Sequence, residues 1–300
     1  MQNFITRYRS GRDGLATQVF IFLMACLLAG CGAARLGYAN GETISYWWLD
    51  GYVDIEPEQQ PLVKKHLDDL FTWHRQTQLR DYVQLLTGVQ KRLQSTVSAT
   101  DISADTASIK KRMVVLTEKA APQLADFALS LEPQQLVNME KKFVENDAKY
   151  RKEYLRGDVE ARQRFRFKKV MNQAEYWFGN FSNEQEARIR AASDARPLNN
   201  EIWFAEKVRR QGELLAILKK VQAEKPSHEA VTAALKTYLA AGIDKPAEHP
   251  QKRFFDASAD STAQLTTTVI NLATPSQKDH AVRKVQQWID DFNTLAAKRI

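Results

Sequence analysis

Cysteine is nearly absent from this chain of 300 residues, and both copies lie near the N-terminus, at Cys26 and Cys31. No cysteine follows Cys31. A domain formed by the later residues therefore has no disulfide bond, no cysteine nucleophile and no thiolate metal site. A chain of this length can still form one large domain with a sizeable core of its own.

Glycine and proline are also scarce, with 12 and 9 copies, whereas residues of high helix propensity are common. Apolar residues recur at helical spacing along most of the chain, and patterns of period two are rare. The best strand candidate is residues 266–270, but its apolar flanks also fit a helix, and we assign it to a helix. The sequence predicts an all-α fold, an irregular or elongated bundle of about nine or ten helices.

Short segments rich in turn-forming residues separate the predicted helices. These breaks fall at residues 98–101, 131–133, 156–158, 179–183, 196–199, 225–227, 242–250 and 274–275. Residues 242–250 contain two prolines and a glycine, so this segment is expected to form the longest loop.

Hydrophobic runs are short in this sequence. Residues 19–28 form an apolar run of ten residues, too short for a membrane-spanning helix of about 20 residues. Three arginines precede the run, which ends in Leu28-Ala29-Gly30-Cys31, an arrangement typical of a bacterial lipoprotein signal. We predict cleavage between Gly30 and Cys31, with diacylglycerol on the thiol and an acyl chain such as palmitate on the new amine. The alternative is an uncleaved anchor followed by an unmodified cysteine.

This signal predicts the organisation and the location of the chain. Residues 1–30 are the expected signal peptide, residues 31–42 a short membrane tether, and residues 43–300 a single all-helical domain. Gly32 stands where an aspartate retains lipoproteins in the inner membrane, so we expect the periplasmic face of the outer membrane. The mature charge of +5 permits anionic lipid or an envelope protein as partner, but is too dispersed for nucleic acid.

Aromatic residues are concentrated soon after Cys31. The stretch Tyr46-Trp47-Trp48-Leu49-Asp50-Gly51-Tyr52-Val53-Asp54 is followed by Trp73-His74-Arg75. From Cys31 to about Leu86 the chain resembles a family of uncharacterised lipoproteins of Gram-negative bacteria. This resemblance implies an all-helical envelope lipoprotein with no known activity. Gln78-Leu79-Arg80 stands where the family has Glu-Leu-Pro, so the glutamate of that motif has no counterpart in this chain.

His74 is expected on the core-facing side of a helix, where a half-buried histidine needs a hydrogen-bond partner. We predict a polar cluster in which Asp50 or Asp54 supplies that partner, beside Trp73 and Arg75. One hypothesis makes the cluster an acid/base or anion-binding centre, and the other makes it a structural tie between two segments.

Other enzyme signatures are absent, and we expect neither a metal nor a cofactor. His66 and His74 are eight residues apart and fall on similar faces of a helix, with Asp69 and Asp81 nearby. A zinc site at these residues is therefore considered as a minor hypothesis.

Residues 149–169 form a basic segment with nine lysines or arginines and three acidic residues. Arg162, Arg166 and Lys169 share one predicted helix face, and Phe165 and Phe167 lie between them. Such a face suits anionic lipid, lipopolysaccharide phosphates or an acidic polymer. The alternative is a solvated helix face whose arginine stems cover the core.

A weak repeat ends in glutamine at Gln59, Gln135, Gln185 and Gln277. Its spacing is that of a helix start, in which the glutamine reaches back to the free amide of the cap. It also resembles the Leu-Thr-x-x-Gln motif of small periplasmic chaperones of the Spy and CpxP type.

Three functions fit these observations. The first is a non-catalytic outer-membrane lipoprotein that binds or scaffolds an envelope component, and the second is a chaperone-like factor. The third is an enzyme centred on His74. A deep pocket at His74 favours the enzyme, and a concave surface of mixed apolar and basic character favours the chaperone. Trp47 and Trp48 are expected either at the membrane interface or buried under the bundle.

Overall fold

The computed structural model describes residues 33–297, and within this range the chain forms twelve α-helices and no strand. The helices are α1 Ala33–Ala39, α2 Gly41–Val53, α3 Gln60–Thr77, α4 Leu79–Leu93, α5 Ala99–Ser130, α6 Pro133–Tyr154, α7 Val159–Phe178, α8 Asn183–Asp194, α9 Asn200–Glu224, α10 His228–Ile243, α11 Lys252–Leu272 and α12 Pro275–Ala297. None of the helices in residues 33–297 is both long and apolar enough to cross a membrane.

The all-α prediction is confirmed, and each predicted break separates two helices of the structure. Residues 266–270 lie inside α11, as assigned from their flanks. The helix count exceeds the expected nine or ten because residues 33–93 form four helices. The break at Gln78 has no glycine or proline, so turn chemistry does not mark it. Part of the segment expected to be a tether, residues 31–42, forms helix α1.

Polar side chains begin most of the later helices as the capping rules predict. Ser98, Asp158, Ser182, Asn199 and Ser227 each accept a hydrogen bond from the backbone N–H three residues further on. These bonds satisfy amides that the helix itself leaves free.

The structure has two hydrophobic cores, and the long helix α5 packs against helices of both. The first core is formed by α4, α7, α8, α11 and α12 around the fully buried Ile189. The second is formed by α2, α3, α6, α9, α10 and the C-terminal half of α5, around Val53 and Ala125. Helix α5 has 32 residues, about 48 Å at 1.5 Å per residue, and packs on both α10 and α11.

A reciprocal pair of glutamines joins the helix starts of the second core. Gln59 Nε2 donates to Gln135 Oε1 at 2.9 Å, and Gln135 Nε2 donates to Gln59 Oε1 at 2.8 Å. Each oxygen also accepts the backbone N–H of the residue three positions earlier, Glu56 or Glu132. Each Nε2 donates in addition to a carbonyl before the other helix, that of Ser130 or Asp54.

The first core contains a matching pair. Gln185 Nε2 donates to Gln277 Oε1 at 2.9 Å and to the carbonyl of Leu272 at 2.8 Å. Gln277 Nε2 donates to the carbonyl of Asn180 at 2.6 Å. In all four cases the carbonyl acceptor lies five residues before the partner glutamine. The four motifs of the repeat therefore form two equivalent joints, the 59/135 joint and the 185/277 joint.

The capping interpretation is confirmed for Gln135, Gln185 and Gln277, each of which reaches back to the backbone N–H three residues earlier at a helix start. Gln59 makes the same bond one turn early, because Gln59 is itself the N-cap residue of α3. The pairing adds a tertiary role to the repeat. Gln135 is 1 % exposed and Gln59 is 8 % exposed, so these amides face protein rather than solvent. A direct contact between these two side chains and a client chain is therefore excluded in this fold.

We predict that Gln135→Ala lowers the free energy of unfolding by about 1–3 kcal/mol. The substitution removes the donor to the Gln59 side-chain oxygen and to the Asp54 carbonyl, and so leaves these groups without that hydrogen bond. The matched control is Gln134→Ala, which removes an exposed amide one residue earlier in the same helix. Urea unfolding of both variants measures the difference. Equal stability of the two variants would contradict a structural role for the joint.

Candidate functional site

A cavity of about 800 Å³ opens between α6, α7, α9 and α11. Its floor consists of side chains that belong to the first core, among them Ala174, Phe178, Leu265 and Val269. Small-molecule sites have volumes of roughly 300–1,000 Å³ and mostly apolar walls. The volume and the floor therefore fit one small ligand with an apolar part.

Aromatic rings form the wall of this cavity on the α6 side. Tyr150 stacks on Tyr154 with ring centroids 4.6 Å apart, and Phe165 packs edge-on against Tyr154 at 5.5 Å. Trp177 of α7 and Trp203 of α9 also line the cavity, and Trp203 is 44 % exposed. The exposed part of Trp203 leaves apolar surface in contact with water, and a ligand in the cavity can cover that surface.

The predicted basic face forms part of this cavity wall. Arg162, Arg166 and Lys169 are all lining residues, as their shared helix face predicts. However, Arg162 pairs with Glu201 at 2.7 Å, and Lys169 pairs with Glu153 at 2.8 Å. The positive charge that the sequence shows in this segment is therefore partly neutralised.

Arg166 and Arg196 differ from these paired cations. Arg166 Nη1 donates to the carbonyls of Pro197 at 3.0 Å and Arg196 at 3.3 Å, and Arg196 Nη2 donates to Thr262 Oγ1 at 3.0 Å. In residues 33–297 neither guanidinium forms an ion pair within 4.0 Å, whereas Arg162 and Lys169 do. Burial lowers the pKa of both, and the charge of Arg196 lowers that of Arg166 further.

Sequence reasoning missed Arg196, Trp203 and Lys207 as members of this site. Arg196 lies in a segment that the sequence marked only as a break between helices. Trp203 fits the apolar helical periodicity of α9, a pattern that does not distinguish a core position from a cavity position. The packing of α9 beside α6 brings these residues to the cavity, and no local pattern indicates that packing.

A buried acidic residue fixes the loop next to Trp203. Glu206 is 7 % exposed and accepts hydrogen bonds from Lys245 at 2.5 Å, His249 at 3.0 Å and Arg209 at 2.7 Å. The donors hold the pKa of Glu206 well below its usual range, against the opposing effect of burial. This cluster ties the predicted long loop to α9 and supports Phe255, whose ring contacts Trp203 at 4.9 Å.

His74 lies between two tyrosine hydroxyls rather than beside a carboxylate. Tyr38 Oη is 2.8 Å from Nδ1, and Tyr82 Oη is 3.2 Å from Nε2. Burial lowers the pKa of His74 and raises the pKa of Tyr38 to about 12. The histidine is therefore held neutral at pH 7, and it joins α1, α3 and α4.

The structure does not assemble the rest of the predicted polar cluster around His74. Asp50 Oδ1 accepts the backbone N–H of Ile55 at 2.9 Å, and Asp54 ends α2 in the left-handed region, at φ 61°. Arg75 lies 3.6 Å from Glu42, and Trp73 contacts the edge of the His74 ring. The expected partnership of His74 with Asp50 or Asp54 is wrong, because Tyr38 and Tyr82 occupy both ring nitrogens.

The zinc hypothesis is also wrong. His66 Nε2 lies 3.2 Å from Asp126, while Asp69 pairs with Lys65 and Asp81 pairs with Arg112. In residues 33–297 no group of three His, Cys, Asp or Glu side chains is arranged to hold a metal ion.

Trp47 and Trp48 are exposed, at 60 % and 64 % of their surface, so the alternative of burial is wrong. Trp48 contacts Tyr52, one turn later on α2, with ring centroids 4.9 Å apart.

The predicted lipidation and cleavage sites, Cys31 and Gly30, lie outside the described residues.

The structure is that of an all-helical protein with a cavity of small-molecule size, called the chamber below. The chain belongs to a family of unknown function, DUF6279, whose model matches residues 51–241. The matched range includes three walls of the cavity, α6, α7 and α9, and ends before α11. No curated protein and no solved structure matches the chain.

We predict that His74→Phe destabilises the fold by about 1–3 kcal/mol at pH 7.5, because both hydroxyl partners lose a buried bond. The pKa of His74 is lower in the folded state, so its stabilising contribution is present above the unfolded pKa of about 6.5. That contribution is lost as the pH falls from this value through the lower pKa of the folded state.

Urea unfolding of wild type and His74→Phe at pH 7.5 and pH 5.5 measures both effects. The stability difference between the two proteins should shrink at pH 5.5, and other titrating groups cancel in the comparison. A stability difference that is equal at both pH values would contradict the neutral, buried state of His74.

Proposed function

We propose that this protein is a non-catalytic, lipid-anchored binding protein on the periplasmic face of the outer membrane, and that its site is the cavity between α6, α7, α9 and α11. One observation carries this proposal: a chamber of about 800 Å³ that combines an apolar floor, aromatic walls and basic side chains. Such a chamber suits an amphipathic component of the envelope.

The N-terminal region supports a position close to the membrane. Ala33, where α1 begins, follows Cys31 by two residues, and Tyr38 of α1 is bonded to His74 in the body of the domain. Trp47 and Trp48 follow Ala33 by 14 and 15 residues, which is about 23 Å or less of helical rise. Exposed tryptophans are enriched at membrane–water interfaces, so these two fit the face turned to the lipid.

The enzyme hypothesis has less support. A catalytic histidine needs a free nitrogen within reach of a substrate, and both nitrogens of His74 lie against tyrosine hydroxyls. His74 also does not line the chamber described above.

A chaperone-like role remains the second candidate, since the chamber is concave, partly apolar and basic. Its distinguishing property is suppression of aggregation of an unfolded model protein at stoichiometric amounts. A cavity ligand at saturating concentration should block that suppression if the chamber is the client site.

We predict that the chamber binds the neutral apolar dye N-phenyl-1-naphthylamine, and that Thr266→Trp weakens this binding about tenfold or more by filling the chamber. The matched control is Gln264→Trp, which places the same ring at an exposed position of the same helix outside the chamber. Fluorescence titration measures both. The proposal fails if wild type binds no dye, or if the two variants bind it equally.

We also predict that protein extracted from membranes lacks residues 1–30 and carries acyl chains on Cys31. Intact mass spectrometry measures both changes, and Cys31→Ser should leave the protein unacylated and release it from the membrane fraction. A wild-type mass that retains the first 30 residues would contradict the lipid anchor.

A further inference from the structure

Two guanidinium groups that line the chamber, those of Arg166 and Arg196, form no ion pair within 4.0 Å in residues 33–297. The nearest acidic influence on Arg166 is Asp194, whose carboxylate is already paired with Arg190 at 2.5 Å. Arg166 is bonded to the carbonyls of residues 196 and 197, which fixes the segment between α8 and α9 against α7. Arg196 is bonded to Thr262 of α11. Both side chains line the chamber and are partly buried. In residues 33–297 each Nε–H is buried and makes no hydrogen bond.

The other basic residues of the chamber are neutralised by carboxylates. Arg162 pairs with Glu201, Lys169 with Glu153, and Lys207 with Asp147 at 2.6 Å. Lys169 is held further by the rings of Tyr154 and Phe165, whose centroids lie 4.4 Å and 4.6 Å from Nζ. These cations therefore hold the aromatic wall in place and are less available to a ligand.

A pair of partly buried cations without an ion-pair partner within 4.0 Å is unfavourable for the fold by itself. Removal from water penalises each charge, and the two positive charges repel each other. Burial lowers the pKa of both arginines, and for Arg166 the positive charge of Arg196 is the next largest cause. An anion placed beside both guanidiniums removes the penalty and forms charge-assisted hydrogen bonds, which are stronger than neutral ones.

We propose that Arg166 and Arg196 bind the anionic head of a single-chain amphiphile, an acyl or alkyl chain with one carboxylate or phosphate, whose apolar part lies along the chamber floor. This inference rests on the proposed function, since it names the ligand class of the same chamber. The floor contains Ala174, Phe178, Leu265 and Val269, and the wall adds Trp177. The volume of about 800 Å³ fits one small molecule rather than a folded protein segment.

The test is displacement of N-phenyl-1-naphthylamine from the purified protein by three chains of equal length. Palmitate carries a carboxylate, hexadecyl phosphate carries a phosphate, and hexadecanol is neutral. Wild type should bind at least one of the two anions about tenfold or more tightly than hexadecanol. The anion that binds more tightly identifies the source of the head group as a fatty acid or a phosphorylated lipid.

Arg196→Gln and Arg166→Gln should each reduce this anion preference about tenfold and leave the affinity for hexadecanol within about twofold of wild type. Arg196→Lys keeps the charge and should restore part of the preference. The matched control is Arg164→Gln, because Arg164 lies on the same helix with 60 % of its side chain exposed. Circular dichroism and thermal unfolding establish that each variant is folded.

The failure of this inference is distinguishable from the failure of the proposed function. If wild type binds hexadecanol as tightly as both anions, or if the arginine variants keep the wild-type preference, the anion site is overturned. The proposed function, binding of an amphipathic ligand in the chamber, is then still supported. If neither the dye nor any of the three chains binds wild type, both proposals are overturned.

Discussion

The reciprocal glutamine pairs are the interaction on which the rest of the structure depends. In the 59/135 pair, each amide oxygen accepts the backbone N–H three residues earlier and a bond from the partner glutamine. Each amide nitrogen also donates to a carbonyl that precedes the partner helix. A single side chain thereby satisfies a helix start and fixes a crossing between two chain segments. Because all members are satisfied, the pairs are compatible with burial.

The two joints set the walls of the chamber. The 59/135 joint begins α6, which supplies Tyr150 and Tyr154, and the 185/277 joint connects the end of α11 with the segment after α7. Gly179 ends α7 at φ 75°, in the region that favours glycine, and turns the chain into this second joint. The chamber therefore lies between elements whose directions are fixed at two equivalent points.

Within these walls, the distribution of charge separates stability from binding. Carboxylates on α6 and α9 neutralise Lys169, Lys207 and Arg162, and these pairs hold the walls together. Arg166 and Arg196 lack such partners and are bonded only to carbonyls and a hydroxyl. A fold selected for stability alone has no need of two unpaired, partly buried guanidiniums. The two positive charges without an ion-pair partner are the reason for proposing an anionic ligand in the chamber.

The features that the sequence predicted are those that interactions between residues close in sequence determine. The helical class and the eight predicted breaks follow from propensity and turn chemistry, and the capping role of Gln135, Gln185 and Gln277 follows from their spacing. The pairing of Gln59 with Gln135 does not, because the partners are 76 residues apart.

The candidate sites depended even more on distant contacts. His74 was assigned the wrong partners because Tyr38 lies in a segment expected to be a tether, whereas that segment contains helix α1. The charge of the basic segment was visible in the sequence. Its neutralisation by Glu201, and the contribution of Arg196, required the packing of α9 beside α6 and α7.

Native mass spectrometry of the full-length protein, released from its own membranes in a neutral detergent, tests the central claim most directly. The account predicts one additional bound molecule per chain, and fragmentation should identify it as a single-chain carboxylate or phosphate. Arg196→Gln purified in the same way should lose that molecule. A wild-type protein that carries no such molecule, or only neutral lipid, would contradict the account.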